Sequence, residues 1–166
     1  MAFTAQDVKK LREMTNVGMM DCKKALQATD GDMDKAVDWL REKGLAKAAK
    51  KADRIAAEGV AFATVVDGVG VVIEVNSETD FAAKTDAFMD LVKNLAVVVA
   101  KQNPADVEAL KACTYPNSNL TVTEIMQEKV MSIGENMQIR RFARFPENTS
   151  VAYVHAGGTH GVLVNL

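Results

Sequence analysis

The sequence has few of the residues that metal sites, disulfide frameworks and catalytic centres use. Its 166 residues include two histidines, two cysteines and 5% aromatic residues. Cys22 and Cys113 lie far apart and form no CxxC motif. In a chain whose first residues lack the apolar core of a secretion signal, they predict free thiols in a reducing, cytoplasmic compartment. No apolar run approaches the roughly 18 residues that cross a bilayer, so we expect no membrane-spanning segment.

The motifs of covalent chemistry and of phosphate binding are also absent. The chain has no GxGxxG, no GxxxxGK[ST], no HExxH and no GxSxG. His155 and His160 flank a Gly-rich segment, where a hairpin can bring them together either as a metal pair or simply as two histidines beside a turn. We prefer the second interpretation, because two ligands rarely make a site. We therefore expect no catalytic residue, no metal and no cofactor.

The first part of the chain predicts three short helices. Thr4 and Asp7 resemble a capping box at the start of the first. The segments 15–18 and 29–32 carry the stop and start signals that separate the helices. Apolar residues at i, i+3, i+4 and i+7 over 33–40 indicate the third helix. Three helices of this length are typical of a ubiquitin-associated-like bundle.

A change of composition follows Gly44. Residues 45–54 are rich in alanine and lysine and predict a helical linker with little to bury. Its cations fall on one helical side; they are Lys47, Lys50, Lys51 and Arg54. A solvated helix face is the preferred interpretation, and a nucleic-acid site is the alternative. Because no aromatic residue is interleaved to stack bases and the net charge is −2, we expect no nucleic-acid partner. Lys51 can instead attract an acidic protein.

The second part of the chain predicts strands and helices together. Asp67 and Gly68 separate two β-branched runs, 60–66 and 69–75, as in a type I′ hairpin. Three helices are expected next: a long one with its apolar face over 88–99, a short one opened by Pro104, and one from Thr121 to about Ile133. Further strands are expected at 137–145, 150–155 and 161–166.

These elements predict an α+β protein, with an antiparallel sheet packed with helices. We expect a ubiquitin-associated-like module with its basic helical linker at 1–55, an α+β core subdomain at 56–148, and the first strands of a second core subdomain at 149–166. The apolar strand at 161–166 has no element after it to cover it. We therefore expect a chain cut short at its C-terminus.

Two positions stay open from periodicity alone. One of Met19 and Met20 is expected in the core of the helix bundle and the other on its surface, where a flexible thioether suits partner binding. The long helix can begin at Asp80, which makes Phe81 a core residue seven positions before Phe88. If Thr85 is the N-cap, Phe81 lies on a loop and can project outward. Periodicity favours the core interpretation.

Three segments carry a resemblance to a known family. They are VKKLREMTNVGMMDCKKAL at 8–26, VNSETDFAAK at 75–84 and IGENMQIRR at 133–141. In this order they resemble the signatures of the elongation factor Ts family. The resemblance implies a guanine-nucleotide exchange factor for the GTPase elongation factor Tu, acting in translation elongation without binding the nucleotide itself. A nucleic-acid module and a ubiquitin-associated-type adaptor are the competing interpretations.

The resemblance also implies which residues contact the GTPase. The N-terminal module docks on the nucleotide-binding domain of the GTPase through Arg12, Met19, Met20, Lys23 and Lys51. The Thr79-Asp80-Phe81 loop reaches the magnesium and phosphate site, where the phenylalanine acts as a wedge, so the resemblance favours an exposed Phe81.

Further contacts are implied near the end of the chain. His155 falls at a family contact position, whereas His160 stands where an apolar or basic residue is expected. Because the region that dimerises in the family lies beyond this chain, self-association is expected only where that region is present.

Overall fold

A computed structural model describes residues 3–166, so the first two residues of the predicted 1–55 module lie outside the described part. Its elements, in chain order, are α1 (Ala5–Thr15), α2 (Met19–Ala28), α3 (Met33–Lys51), β1 (Glu58–Val66), β2 (Val69–Ser77), α4 (Asp80–Ala83), α5 (Asp86–Gln102), α6 (Val107–Ala112), α7 (Val122–Ile133), β3 (Met137–Phe145), β4 (Ser150–His155) and β5 (His160–Asn165). Helices come first and antiparallel strands packed with helices follow, so the predicted α+β class is confirmed. None of the helices in residues 3–166 is long and apolar enough to cross a membrane.

Helices α1 to α3 pack around a small apolar core. The predicted capping box opens α1: the Thr4 hydroxyl accepts from the Asp7 amide while the Asp7 carboxylate accepts from the Thr4 amide. Asn16 ends the helix in the left-handed conformation, with φ of 53°. The core residues of the bundle are Val8, Leu11, Val17, Cys22, Ala25, Leu26, Ala36 and Leu40, and they are joined by Met131 of α7.

The helical segment predicted after Gly44 is helical, and it continues the third helix. Helix α3 runs unbroken through Gly44 to Lys51. Gly44 is buried against α7, where a Cβ atom built on it would lie 3.5 Å from the Gln127 carbonyl oxygen and 3.6 Å from the Met131 sulfur. Ala48 packs on the core of the sheet region. The small residues that suggested a solvated linker therefore provide the close contact between α3 and α7.

A three-stranded antiparallel sheet, ordered β1-β2-β3, forms the centre of the second region. Asp67 and Gly68 make the predicted hairpin turn, both with positive φ (49° and 84°), which type I′ requires. Strands β2 and β3 are paired with a register shift between Glu74 and Val75. One face of the sheet packs against the buried side of α5, whose predicted apolar residues Phe88, Leu91, Val92, Leu95, Val98 and Val99 all lie in the core.

The structure corrects one predicted helix start and decides between the two alternatives left open for another. The short helix α6 begins at Val107 rather than at Pro104, because the Asp106 carboxylate accepts from the Ala109 amide at 2.8 Å and caps it there. The long helix α5 begins after Thr85, whose hydroxyl accepts from the Phe88 amide at 3.3 Å. A separate one-turn helix, α4, precedes it.

Strands β4 and β5 form a sheet of their own. The last strand is therefore paired, and the sheet packs on β1 and β2: a Cβ atom built on Gly70 would meet the side chains of Ser150 and Leu163. Side chains that alternate with these face outward and are exposed, namely Val151, Tyr153, Val162 and Val164. The last strand was expected to be uncovered. In the structure, one face of the β4–β5 hairpin is covered by β1 and β2, and only the opposite face is exposed.

Candidate functional site

The most exposed aromatic ring in the described chain lies on a turn between β2 and α5. Thr79 is the N-cap of α4, with an extended backbone and its hydroxyl accepting from the Ala82 amide at 3.3 Å. Phe81, in the first turn of α4, has 78% of its surface exposed. The core position that periodicity favoured for Phe81 is wrong. The helix is interrupted between α4 and α5, so the seven-residue spacing from Phe88 does not place Phe81 on the buried face of α5. The exposure implied by the family resemblance is what the structure has.

The ionised form of Asp80, next to Phe81, is stabilised by a neighbouring lysine. Its carboxylate accepts from the Lys84 ammonium at 2.6 Å, one helical turn later. This hydrogen bond, with the positive charge of Lys84, holds the pKa of Asp80 below its ordinary value. The turn therefore presents an apolar ring beside an ionised carboxylate.

The turn is fastened to the rest of the fold by residues that were not predicted. The Ser77 hydroxyl donates to the Thr79 carbonyl at 2.9 Å. The Glu135 carboxylate accepts from both the backbone amide of Thr79 and its hydroxyl, at 3.0 and 2.6 Å. Glu135 lies in the IGEN segment at 133–136, which the sequence marks only as part of a family signature.

The two methionines at the start of α2 are both exposed. Met19 has 48% and Met20 65% of its surface exposed, so the prediction that one of them lies in the core is wrong. The reason is that the inward positions of α2 are Cys22, Ala25 and Leu26, and the first turn extends past the three-helix core. Arg12 and Lys23 are exposed on the same module.

Three of the four cations in segment 45–54 make contacts with other residues of the same chain. Lys47 pairs with Asp21 at 2.7 Å and Arg54 with Glu78 at 3.5 Å. The Lys51 ammonium donates to the Gly134 carbonyl. These contacts favour an intramolecular role for the cations over a continuous basic surface that follows a phosphate backbone.

His155 and His160 face each other across the β4–β5 hairpin. They are directly paired in register, with ring centroids 6.1 Å apart, and both are exposed. Nδ1 of His155 shares a hydrogen bond with the Tyr153 hydroxyl at 2.8 Å, and Nδ1 of His160 shares one with the Thr159 hydroxyl at 3.1 Å. Within residues 3–166, no group of three or more His, Cys, Asp or Glu side chains is placed to hold a metal ion.

The structure brings some of the predicted site residues together. Lys51 at the end of α3 and the Thr79–Phe81 turn meet through the segment 134–136, which contacts both. In the described part of the chain, no hydrogen bond or ion pair links His155 or the Met19–Met20 pair to this cluster. The predicted contact residues thus include one connected group, formed by Lys51 and the Thr79–Phe81 turn, and two separate exposed sites, at Met19–Met20 and at His155.

Comparison with known proteins identifies the family. The family model described as Elongation factor TS matches residues 78–166, more than half of the chain. Elongation factor Ts of Trichlorobacter lovleyi is 52% identical over 169 residues, an alignment that covers 99% of this chain and 54% of that protein. The chain thus spans about half the length of this curated relative. On both counts, the chain belongs to the elongation factor Ts family.

Proposed function

We propose that the chain is a guanine-nucleotide exchange factor that promotes GDP release from elongation factor Tu during translation elongation in the cytoplasm. The observation that carries the proposal is the exposed ring of Phe81 on an anchored turn, beside the ionised Asp80. An apolar ring held out by a braced backbone loses little conformational entropy when a partner buries it, which is the property of a binding hot spot.

The proposal divides the contacts between two parts of the chain. Arg12, Met19, Met20 and Lys23 dock the N-terminal module on the nucleotide-binding domain of the GTPase, and their exposure supports this. Lys51 assists: the Gly134 carbonyl occupies one of its three N–H groups and leaves two for an acidic partner.

The second part is the turn at the end of β2. Thr79, Asp80 and Phe81 insert near the magnesium and phosphate site of the GTPase, and His155 supplies a further contact from the β4–β5 hairpin. Both parts are exposed in this chain, which is what a two-point contact requires.

The proposed activity follows from differential binding and needs no covalent chemistry, no cofactor and no nucleotide site on this chain. A ligand shifts an equilibrium only by binding one state better than the other. The factor must therefore bind the nucleotide-free GTPase more tightly than the GDP-bound form, and by reciprocity nucleotide then releases the factor. Burying the Phe81 ring only in the nucleotide-free complex would contribute about 1.5–3 kcal/mol to this difference.

The test is the release of a fluorescent GDP analogue from elongation factor Tu, with and without this chain. We expect the chain to accelerate release and the variant Phe81→Ala to lose about ten- to a hundredfold of that acceleration, the equivalent of the ring's burial.

Val65→Ala is the matched control. Val65 is also an exposed apolar residue, but it lies at the other end of the β1–β2 pair: seven register steps separate Glu58↔Ser77 from Val65↔Gly70, about 23 Å. The control should retain full acceleration. No acceleration by the unaltered chain, or equal losses in both variants, would contradict the proposal.

A further inference from the structure

A network of hydrogen bonds gathers on the segment 134–136, which lies between α7 and β3. On one side the Glu135 carboxylate holds the amide and the hydroxyl of Thr79 with its two oxygens, at 3.0 and 2.6 Å. The residues that meet here are 56 positions apart in the chain. Hydrogen bonds to a carboxylate are shorter and stronger than those between neutral groups, so this contact is among the firmest polar ones in the region.

The geometry makes the orientation of Phe81 depend on this contact. Helix α4 is four residues long, and a single helical turn has no stability of its own. The buried side chains of Ala82 and Ala83 hold its C-terminal half on the core. Its N-terminal end is held by Thr79, which caps it through the Ala82 amide and is itself fixed by Glu135. Phe81, two residues beyond Thr79, is 78% exposed and has little packing of its own to orient it.

The same segment also contacts the residues that follow α3. The Asn136 amide donates to the Glu78 carboxylate at 2.6 Å, and the Asn136 side chain donates to the Arg54 carbonyl at 2.8 Å. Asn136 is buried, with both of these bonds made. Segment 134–136 therefore joins the last residues of the N-terminal module to the base of the Phe81 turn.

We propose that Glu135 is a positioning residue for Phe81. The inference rests on the proposed exchange function and deepens it. Glu135 acts through Thr79 and does not itself need to contact the GTPase. Without its carboxylate, the N-terminal end of α4, where Phe81 lies, loses its fixed position, and the ring reaches its site in only a fraction of encounters.

The test is a double-mutant cycle of Glu135→Gln and Phe81→Ala, read by the release of the fluorescent GDP analogue. Glutamine keeps the shape of the side chain, but it is uncharged and has one acceptor oxygen in place of the two that Thr79 uses. We expect Glu135→Gln to slow release by about tenfold, the effect of losing a charge-assisted hydrogen bond. In the Phe81→Ala background the same change should alter release by less than about twofold, because there is no ring left to position.

Glu128→Gln is the matched control. Glu128 is also a carboxylate that bridges two elements, through Arg41 at 3.1 Å, but it lies away from the turn. Amide hydrogen exchange at Thr79 provides a second readout that does not involve the GTPase: Glu135→Gln should accelerate it, and Glu128→Gln should not. Thermal unfolding verifies that each variant is folded.

The outcomes separate the two proposals. If the unaltered chain accelerates release and the effect of Glu135→Gln is the same in both backgrounds, Glu135 is a structural or direct contact and the positioning inference is overturned. The inference is also overturned if the Glu135→Gln variant accelerates GDP release from the GTPase as much as the unaltered chain does. If the unaltered chain does not accelerate release at all, the proposed function fails first and the inference fails with it.

Discussion

Phe81 and Phe88 are two helical turns apart in sequence, yet 78% of Phe81 is exposed and none of Phe88. The chain between them ends one helix and begins another: Lys84 closes α4, and the Thr85 hydroxyl caps α5. Phe88 consequently belongs to the buried face of α5, whereas Phe81 belongs to a separate turn that points to solvent.

This difference leads to opposite expectations for two alanine substitutions. Phe88→Ala should lower the free energy of unfolding by about 3–5 kcal/mol, because it leaves a cavity in the core. Phe81→Ala should change it by less than about 0.5 kcal/mol, because little packing is lost. Urea denaturation of both variants measures the two values. A large destabilisation by Phe81→Ala would mean that its ring packs in solution.

Gly44 offers a substitution that should stabilise the fold. It lies within α3, and a Cβ atom there would meet the Gln127 oxygen and the Met131 sulfur at 3.5 and 3.6 Å, which are ordinary contact distances. Gly44→Ala should therefore raise the free energy of unfolding by about 0.5–1 kcal/mol, through the higher helix propensity of alanine.

Gly44→Leu is the matched comparison at the same position. The larger side chain cannot fit between α3 and α7 without moving them apart, so it should destabilise the protein by about 1–3 kcal/mol. Thermal unfolding of the two variants should shift in opposite directions. Equal shifts would contradict the close packing of these helices.

The capping box of α7 predicts a specific dependence on pH. The Thr121 amide donates to the Glu124 carboxylate at 2.7 Å, and this bond together with one from the Thr121 hydroxyl holds the pKa of Glu124 below its ordinary value of 4.5. A carboxyl whose pKa is lowered by folding stabilises the folded state above its ordinary pKa, and the stabilisation is lost as the pH falls through the lowered value.

We therefore expect Glu124→Gln to be less stable than the unaltered chain near pH 7. The difference should shrink as the pH falls from 4.5 through the lowered pKa, where the carboxylate of the folded chain becomes protonated. Free energies of unfolding measured from pH 7 to pH 3 check this. A difference that does not depend on pH would show that the charge of Glu124 plays no part.

The two free thiols should differ in reactivity. Burial raises the pKa of Cys22 and that of Cys113 above the ordinary value, so both form thiolate less readily than an exposed cysteine. Cys22 is fully buried in the helix bundle, whereas Cys113 is only partly buried at the end of α6.

A thiol reagent should therefore modify Cys113 first in the folded protein and modify Cys22 only on unfolding. The variant Cys113→Ser assigns the two phases. If Cys22 reacted as fast as Cys113, the helix bundle would have to open readily, because the thiol is otherwise inaccessible.

Local sequence was enough to predict the parts of the fold that depend on near neighbours. The Asp67-Gly68 hairpin, the capping box at Thr4, the helix start at Thr121 and the buried face of α5 all follow from residues within one or two turns of each other. The physical reason is that turn conformations, cap hydrogen bonds and helical faces are decided by groups that are always close along the chain.

Tertiary structure decided what those neighbours cannot specify. The segment after Gly44 was predicted to have little to bury, yet Gly44 itself packs against α7. Both methionines of α2 are exposed, although helical phase suggested a core position for one of them. Phe81 is the clearest case: Glu135, 56 residues away, holds the turn that exposes it. Hydrophobic periodicity predicts burial from the position of a residue within its own helix or strand. Actual exposure depends also on which distant groups meet once the elements have packed.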